Sequence, residues 1–217
     1  MKLIIISNPT NVNNEYQLLN TLFDNGLEYF HLRKPNSTEQ EMETYIQHIA
    51  SAHWNKIVLH SHHRLVDKYK LKGKHLSHSN ILEKHKHSKS NSADISEIRG
   101  KYISTSFHSL QELEENKKKY EYTFLSPVFD SISKDGYKSN FNFQELQNSP
   151  LLRRGAGGEV FALGGIDSDK IEIVNELGFD GVAVLGAVWL SNDPIEKFKQ
   201  LQEICNMHSS SKNKNYA

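Results

Sequence analysis

The stretch that decides the fold consists of VFALGGI (160–166) and GFDGVAVLGAVW (178–189), joined by a segment of helical pattern from Ser168 to Leu177. Each flank holds a short apolar run rich in β-branched residues that ends in glycine, which is typical of a buried strand. A strand, a helix and a second strand in this order predict a parallel pair. Both strands therefore end at the same edge of the sheet.

Glycines follow both of these predicted strands. Gly164 and Gly165 come after the first strand, and Gly186 comes after the second. Because glycine has no Cβ, its backbone amide can approach an anion closely. We predict a phosphate cradle at this edge of the sheet. The alternative is that the glycines only form tight turns between strand and helix.

The rest of the chain repeats the alternation of strand and helix. Eight strand candidates alternate with six clear helical patterns and two weak ones. This count favours a single (β/α)8 TIM barrel over an open sheet of fewer strands. Before the opening stretch, the predicted strands are Leu3–Ser7, Tyr29–Arg33, Ile57–Ser61, a short one at Leu76, Tyr102–Ser106 and Tyr122–Ser126. The barrel is predicted to occupy residues 1–208, and the polar tail 209–217 is predicted to be disordered.

Capping signals mark the helix ends. A helix is predicted over Glu15–Asp24, and capping boxes are predicted at Ser37 with Gln40 and at Ser109 with Glu112. The helix that follows Ser37 is expected to extend to about His53, and the helix that follows Ser109 is expected to extend to Lys119. The last helix is expected to be capped by Asn192 or Asp193. A weak helix is expected at Phe143–Leu146 and a loop at Lys84–Ser92.

Composition limits the partners and the compartment. The 217 residues include 26 Lys plus Arg and 26 Asp plus Glu, so no basic face is expected for nucleic acid or for an anionic membrane. The single Cys205 and the short apolar run at the N-terminus indicate a cytoplasmic protein. A homodimer is an open alternative, with Trp54 or Trp189 as a contact.

A barrel places its functional side chains at the carboxyl ends of the strands. The side chains expected there are cationic, imidazole and hydroxyl groups with almost no carboxylates: His31, Arg33, Lys34, His60, His62, His63, His75, Ser77, His78, His108, Ser126, Ser131, Ser133 and Lys134. Such a rim suits a phosphorylated ligand, with the cations and the serines as hydrogen-bond donors. Arg33 and Lys134 are predicted to be the charged donors to this ligand and Ser131 and Ser133 the neutral ones, and Lys34 is counted with them as a substrate-binding residue. The alternatives are a surface ion pair for Arg33 and a flexible loop for residues 131–134.

His108 lies in the turn between a predicted strand and the helix capped by Ser109. An imidazole in this turn can exchange protons near neutral pH, although a histidine in a turn often only forms a hydrogen bond. No GxSxG, HExxH or cysteine cluster occurs, which argues against hydrolase and zinc-enzyme classes.

Six segments in order resemble motifs of the thiamine phosphate synthase family, which includes the TenI-type thiazole tautomerases. They are HLRKP (31–35), HLSH (75–78), TSFHSLQELEE (105–115), LSPVFDSISKDG (125–136), ALGGI (162–166) and GVAVLGA (181–187). The match covers nearly the whole domain, from Lys2 to Cys205. Each motif is moderately specific, and six in the right order make the resemblance strong.

The resemblance implies a (β/α)8 barrel that binds thiazole phosphate. It implies that Gly165, Leu185 and Gly186 hold the phosphate, and that His31 and Arg33 lie where the synthases bind a pyrimidine diphosphate. It also implies a substrate site lined by the loop residues Ser131, Ser133 and Lys134.

Departures from the family pattern separate two activities. The synthases use Mg²⁺, and their two metal-binding aspartates correspond to His63 and Asn80 here. Because magnesium prefers oxygen ligands and usually one or two carboxylates, no bound metal is expected. His108 matches the position at which the TenI-type tautomerases use a histidine as acid and base. The residues therefore favour a thiazole tautomerase.

Two alternatives to the tautomerase are kept. The first is a thiamine phosphate synthase that uses Mg²⁺ to join hydroxymethylpyrimidine diphosphate to thiazole phosphate with release of pyrophosphate. The second is a noncatalytic protein that binds thiamine precursors.

Overall fold

The computed structural model describes residues 1–77, 102–116, 120–130, 132, 136, 138–139, 141–152 and 158–210. Parallel strands within these ranges form one closed barrel in the order of the chain, which confirms the predicted (β/α)8 TIM barrel. The strands are β1 (Lys2–Ile6), β2 (Phe30–Leu32), β3 (Ile57–Leu59), β4 (Gly73–Leu76), β5 (Tyr102–Phe107), β6 (Tyr122–Leu125), β7 (Glu159–Leu163) and β8 (Gly181–Val184). Pairing of β8 with β1 closes the barrel.

Strand residues alternate between the barrel interior and the layer beneath the helices. Ile4 and Ile6 of β1 pack with Phe124 in the interior. Leu3 and Ile5 lie in the outer layer between strands and helices. This alternation follows from the two-residue period of a strand.

The same alternation carries polar side chains into the interior from β2 to β5. Phe30 and Leu32 lie in the outer layer, so His31 between them points inward. His75 of β4 is paired in register with Ser104 of β5, and both are buried. One sector of the barrel interior is therefore polar, and it lies below the carboxyl ends of these strands.

Helices follow most of the strands, as the sequence pattern predicts. Within the described ranges they are Glu15–Asp24, Glu39–Gln47, Arg64–Lys68, Leu110–Asn116, Phe143–Asn148, Ile171–Glu176, Gly186–Trp189 and Pro194–Ser210, with 3-10 helices at Ser51–Lys56, Pro150–Leu152 and Ser168–Lys170. The weak candidate at Phe143 is a helix, because the Asn142 side chain accepts a hydrogen bond from the Gln144 amide at 2.9 Å.

The second helix differs from its prediction at both ends. Its capping box is formed by Thr38 and Glu41, one residue later than the predicted pair of Ser37 and Gln40. Both pairs have the required spacing, so the pattern alone does not distinguish them. The helix ends at Gln47 instead of continuing to about His53, because the Asn20 side chain bonds the backbone of His48 and of Ala50.

The last helix is capped by Asp193, whose Oδ1 accepts hydrogen bonds from the amides of Ile195 and Glu196. It continues to Ser210, so Ser209 and Ser210 belong to the helix and not to the predicted disordered tail. Helix ends shift by a residue or two because terminal turns fray. Residues 211–217 and the predicted loop Lys84–Ser92 lie outside the described residues. Across the described ranges, no helix combines the length and apolar character needed to span a membrane.

Trp189 is not available for the dimer contact that the sequence left open. It is 8% exposed, and its Nε1 donates a hydrogen bond to the Ile6 carbonyl at 2.7 Å. This bond holds the short helix Gly186–Trp189, which follows β8, against β1. Trp54 is partly exposed and donates to the Ile49 carbonyl at 3.0 Å. Cys205 is buried, and burial raises the pKa of its thiol to about 11, so it acts as a small apolar residue.

Candidate active site

A cavity of about 340 Å³ opens at the carboxyl ends of the strands. Residues in or directly after every strand of the barrel contribute to its wall. The polar side chains that line it are Arg33, His60, His75, Ser77, Ser106, His108 and Ser126. Among the described residues of this wall there is no carboxylate. The described part of the cavity is therefore a favourable environment for an anion.

Two glycines after β7 hold one wall of the cavity against the loop after β6. Gly164 and Gly165 have φ angles of 99° and 66°, which residues with a Cβ rarely adopt. A Cβ on Gly165 would lie 2.1 Å from the Asp130 carbonyl oxygen. Leu185 and Gly186 line the same cavity after β8. The structure thus brings together the four residues predicted to bind phosphate.

Arg33 lines the cavity at the end of β2, where the sequence predicts it. Its backbone is fixed by Ser7 at the end of β1, whose hydroxyl accepts from the Arg33 amide at 2.8 Å and donates to the Arg33 carbonyl at 3.0 Å. Ser7 is fully buried. This serine therefore fixes the point at which the cationic side chain leaves the barrel.

His108 lies at the mouth of the cavity with an exposed side chain. Its Nδ1 is 2.7 Å from the carbonyl oxygen of Ser126. Because a carbonyl oxygen only accepts, Nδ1 carries the hydrogen, and Nε2 of the neutral ring is left as a proton acceptor.

The helix after β5 holds the backbone of His108. The Ser109 hydroxyl accepts from the Glu112 amide at 3.1 Å, as the predicted capping box requires. The Glu112 carboxylate accepts from the His108 amide at 2.8 Å, one residue before the expected donor. The turn that positions the imidazole is therefore fixed from both sides.

His31 lies beneath the cavity floor and does not line the cavity. Its Nδ1 is 2.9 Å from His60 Nε2, and its Nε2 is 2.5 Å from the Tyr122 hydroxyl. His75 packs above it, with Nδ1 2.9 Å from the Ser104 hydroxyl. The polar sector of the barrel is thus a network of hydrogen-bonded imidazoles and hydroxyls.

Burial keeps these three imidazoles neutral. Desolvation lowers the pKa of His31 and of His60 well below the ordinary value, and the neighbouring His75 lowers both further. Desolvation, followed by the charges of His63 and Arg33, lowers the pKa of His75 to about 3. A cationic imidazole in this sector would lose its hydration and face other cations.

Lys34 does not reach the cavity, although the sequence predicts a substrate contact for it. It is 3% exposed, and its Nζ donates to both carboxylate oxygens of Glu15, at 2.7 and 2.8 Å, and to the Thr10 carbonyl at 2.8 Å. The Tyr45 hydroxyl donates to the same carboxylate at 2.8 Å. Lys34 is therefore held in a buried ion pair that joins the end of β2 to the first helix.

Other predicted site residues fall outside the described ranges. These are Ser131, Ser133 and Lys134, His78 of the predicted rim, and Asn80 at one of the family's metal positions. His63, at the other metal position, precedes the helix Arg64–Lys68, and its Nε2 lies 3.2 Å from the His75 carbonyl. The described wall of the cavity offers imidazoles and hydroxyls but no carboxylate, so these residues do not fit Mg²⁺.

Sequence reasoning missed the residues that support the site from within the barrel. Ser7, Ser104 and Tyr122 look like ordinary strand residues in a linear reading, because a hydroxyl among apolar neighbours gives no periodic signal. For Ser7 and Ser104 the usable signal was a position next to a strand that carries a histidine, whereas Tyr122 reaches His31 across the barrel interior and gives no such signal.

Together the closed barrel and its cavity define a (β/α)8-barrel protein with a candidate active site where this fold usually carries one. Residues 3–188 match the family model described as thiamine monophosphate synthase. The chain therefore belongs to the thiamine monophosphate synthase family, as its motifs indicate.

Individual relatives agree with this family assignment. The chain is similar to a thiamine-phosphate synthase of Anoxybacillus flavithermus, with 28% identity over 108 residues that span 49% of each protein. Such matches cover about half the length of the curated relatives. A thiamine phosphate pyrophosphorylase from Bacteroides thetaiotaomicron has a similar structure, with a TM-score of 0.76, 29% identity and coverage of 95% of this chain and 98% of that one. A second, from Pyrococcus furiosus, shares the fold at 21% identity, with a TM-score of 0.73 over 95% of this chain and 96% of its own.

Proposed function

We propose that this protein is a thiazole tautomerase of the TenI type, which converts a thiazole carboxylate phosphate to its aromatic tautomer. The observation that carries the proposal is the His108 imidazole at the cavity mouth, held by the Ser126 carbonyl at 2.7 Å. A tautomerase needs a phosphate anchor and one group that moves a proton. The described cavity offers candidates for both.

In this proposal His108 is the acid and the base. Nε2 takes the proton from the ring carbon of the thiazole, and the imidazolium that forms returns a proton to a second position of the same conjugated system. The hydrogen bond from Nδ1 to Ser126 stabilises the positive ring during the transfer. The reaction moves one proton within the substrate and requires no redox partner.

The substrate phosphate lies on the wall formed by Gly164, Gly165, Leu185 and Gly186. Backbone amides of glycine-rich loops at strand ends bind phosphate oxygens without a side chain in the way. Arg33 supplies a positive charge on another side of the same cavity. The loop residues Ser131, Ser133 and Lys134 are proposed as further substrate contacts.

Replacement of Gly165 with Ala is expected to weaken binding of thiazole phosphate about tenfold or more. The new Cβ would lie 2.1 Å from the Asp130 carbonyl, so the backbone of the cradle has to move. A loss of about 1.4 kcal/mol of binding energy corresponds to a factor of ten. Isothermal titration calorimetry with thiazole phosphate measures the change.

The matched control for Gly165 is Gly26→Ala. Gly26 also has a positive φ, of 95°, but its Cβ would meet only the flexible end of the Gln202 side chain, at the opposite end of the barrel. This variant is expected to lose stability and keep its affinity for thiazole phosphate. Equal affinity losses in the two variants would show that the glycines matter for folding alone.

A thiamine phosphate synthase is the second candidate, and the curated relatives of that name support it. In such an enzyme Mg²⁺ would neutralise the leaving pyrophosphate. We rank this activity second because the described wall of the cavity has no carboxylate that fits the ion.

One assay separates the two candidates. The purified protein is incubated with hydroxymethylpyrimidine diphosphate, thiazole phosphate and Mg²⁺, and thiamine phosphate is quantified by chromatography. We expect no product above a control without protein. Rapid formation of thiamine phosphate would reject the tautomerase as the main activity, whereas binding of both ligands without turnover in this and the isomerisation assay would indicate a noncatalytic protein.

A further inference from the structure

Three histidines from neighbouring strands meet inside the barrel, below the cavity. They are His31 of β2, His60 directly after β3 and His75 of β4. The rings of His60 and His75 are stacked with centroids 4.1 Å apart, and the His31 ring lies 5.1 Å from His60 and 5.5 Å from His75. One potential ligand nitrogen from each ring lies within 4.8 Å of the other two. We refer to these three residues as the histidine cluster.

Hydroxyl groups orient two of the rings from outside the cluster. The Tyr122 hydroxyl lies 2.5 Å from His31 Nε2, and the Ser104 hydroxyl lies 2.9 Å from His75 Nδ1. In metal sites, the ring nitrogen that does not bind the metal usually donates to an oxygen of this kind, which fixes the tautomer. The arrangement leaves His31 Nδ1 and His60 Nε2 toward the middle of the cluster. His75 Nε2 lies 3.1 Å from the Ser106 hydroxyl, and an ion bound to this nitrogen would replace that hydrogen bond.

The separations in the cluster are close to those of a metal site. A tetrahedral ion with metal–nitrogen bonds of about 2.0–2.1 Å holds its ligand atoms about 3.3 Å apart. His31 Nδ1 and His60 Nε2 are 2.9 Å apart and share one proton. Since no pair exceeds 4.8 Å, closing the cluster around an ion requires a movement of about 1.5 Å at most, which small ring rotations supply. The ion would replace the shared proton.

We propose that His31, His60 and His75 bind one Zn²⁺ ion, or a similar first-row transition metal, at the floor of the cavity. Three imidazole nitrogens suit zinc, copper or nickel and do not suit magnesium. His60 and His75 also line the cavity, so a fourth coordination position opens toward it and suits water or an anionic ligand atom. This inference does not depend on the tautomerase activity, since it concerns binding of an ion alone.

The competing interpretation is a metal-free polar core. In that case the imidazoles only form hydrogen bonds with one another and with the neighbouring hydroxyls, because buried polar groups need hydrogen-bond partners. A second source of error is the histidine-rich segment, where His85 and His87 offer nitrogens that bind zinc adventitiously. The experiment has to distinguish both from a site in the barrel.

The test uses the full chain, stripped with EDTA and titrated separately with Zn²⁺ and Co²⁺. Four proteins are compared by calorimetry and by the visible absorption of bound Co²⁺: the wild type, His75→Gln, Tyr122→Phe and the double variant His85→Gln/His87→Gln. Circular dichroism establishes that each is folded. Mg²⁺ serves as the ion that should not bind to the cluster.

We expect one tight Zn²⁺ per wild-type chain, retained in the His85→Gln/His87→Gln variant. Loss of a direct ligand in His75→Gln should weaken binding more than about 100-fold, and loss of the supporting hydroxyl in Tyr122→Phe should weaken it about 10-fold. Co²⁺ should give the intense visible bands of a tetrahedral site. If His75→Gln does not fold, Tyr122→Phe decides the question. The proposal is overturned if the wild type binds no Zn²⁺, if binding disappears with His85 and His87, or if neither His75→Gln nor Tyr122→Phe weakens it.

Discussion

His108→Asn should lower the rate of thiazole tautomerisation by about 10²- to 10⁴-fold, the range that a positioned acid and base usually contributes. The Asn amide can still donate to the Ser126 carbonyl, which the His108 ring contacts at 2.7 Å, so the turn should keep its shape. It cannot accept and return a proton. We therefore expect kcat to fall while the affinity for thiazole phosphate changes little.

The control for His108 is His48→Asn. His48 is exposed at the end of the second helix, stacks on Tyr16 and does not line the cavity. Its replacement should leave kcat unchanged. An undiminished rate in His108→Asn, with the variant folded, would remove His108 from the mechanism and leave the proposal without its proton-transfer group.

Lys34→Met should destabilise the fold by about 3–5 kcal/mol, because it leaves the Glu15 carboxylate buried without its counter-charge. Both side chains of this ion pair are nearly inaccessible, at 2% and 3% exposure. The double variant Glu15→Gln/Lys34→Met should recover much of the loss, since a neutral amide can still bond the Tyr45 hydroxyl. Urea unfolding followed by circular dichroism measures the free energies of unfolding.

A comparison with Lys2→Met calibrates this effect. Lys2 pairs with Glu159 at the surface, with 43% of its side chain exposed, and such pairs contribute about 1 kcal/mol or less. If Lys34 instead contacts the substrate, its replacement should raise KM and leave the unfolding free energy nearly unchanged. That outcome would contradict the structural role assigned to the buried pair.

The barrel could be predicted because its signals are local. Each apolar strand run, each glycine at a strand end and each helix cap is formed by residues that lie close together in the sequence. The uncertain points were those where two local choices were equally good, as for Ser37 and Thr38 at the second helix. There the choice depends on how the helix packs, which a linear pattern does not contain.

The site was only partly predictable, because depth along a barrel strand is not visible in the sequence. Arg33 and His108 line the cavity as expected, whereas His31 lies below it and Lys34 turns toward Glu15. The partners of these side chains come from residues 18 or more positions away, such as Ser126 for His108, Glu15 for Lys34 and Tyr122 for His31. Such contacts are set by the register of the strands, which only the closed barrel defines.

The most direct test of the central claim is an NMR measurement on the wild-type protein in D₂O, with the thiazole carboxylate phosphate as the only substrate and no added metal. We predict that the aromatic tautomer forms far faster than without protein, with deuterium incorporated at the carbon that receives the proton from His108. Binding of the substrate without acceleration of either isomerisation or deuterium incorporation would contradict it.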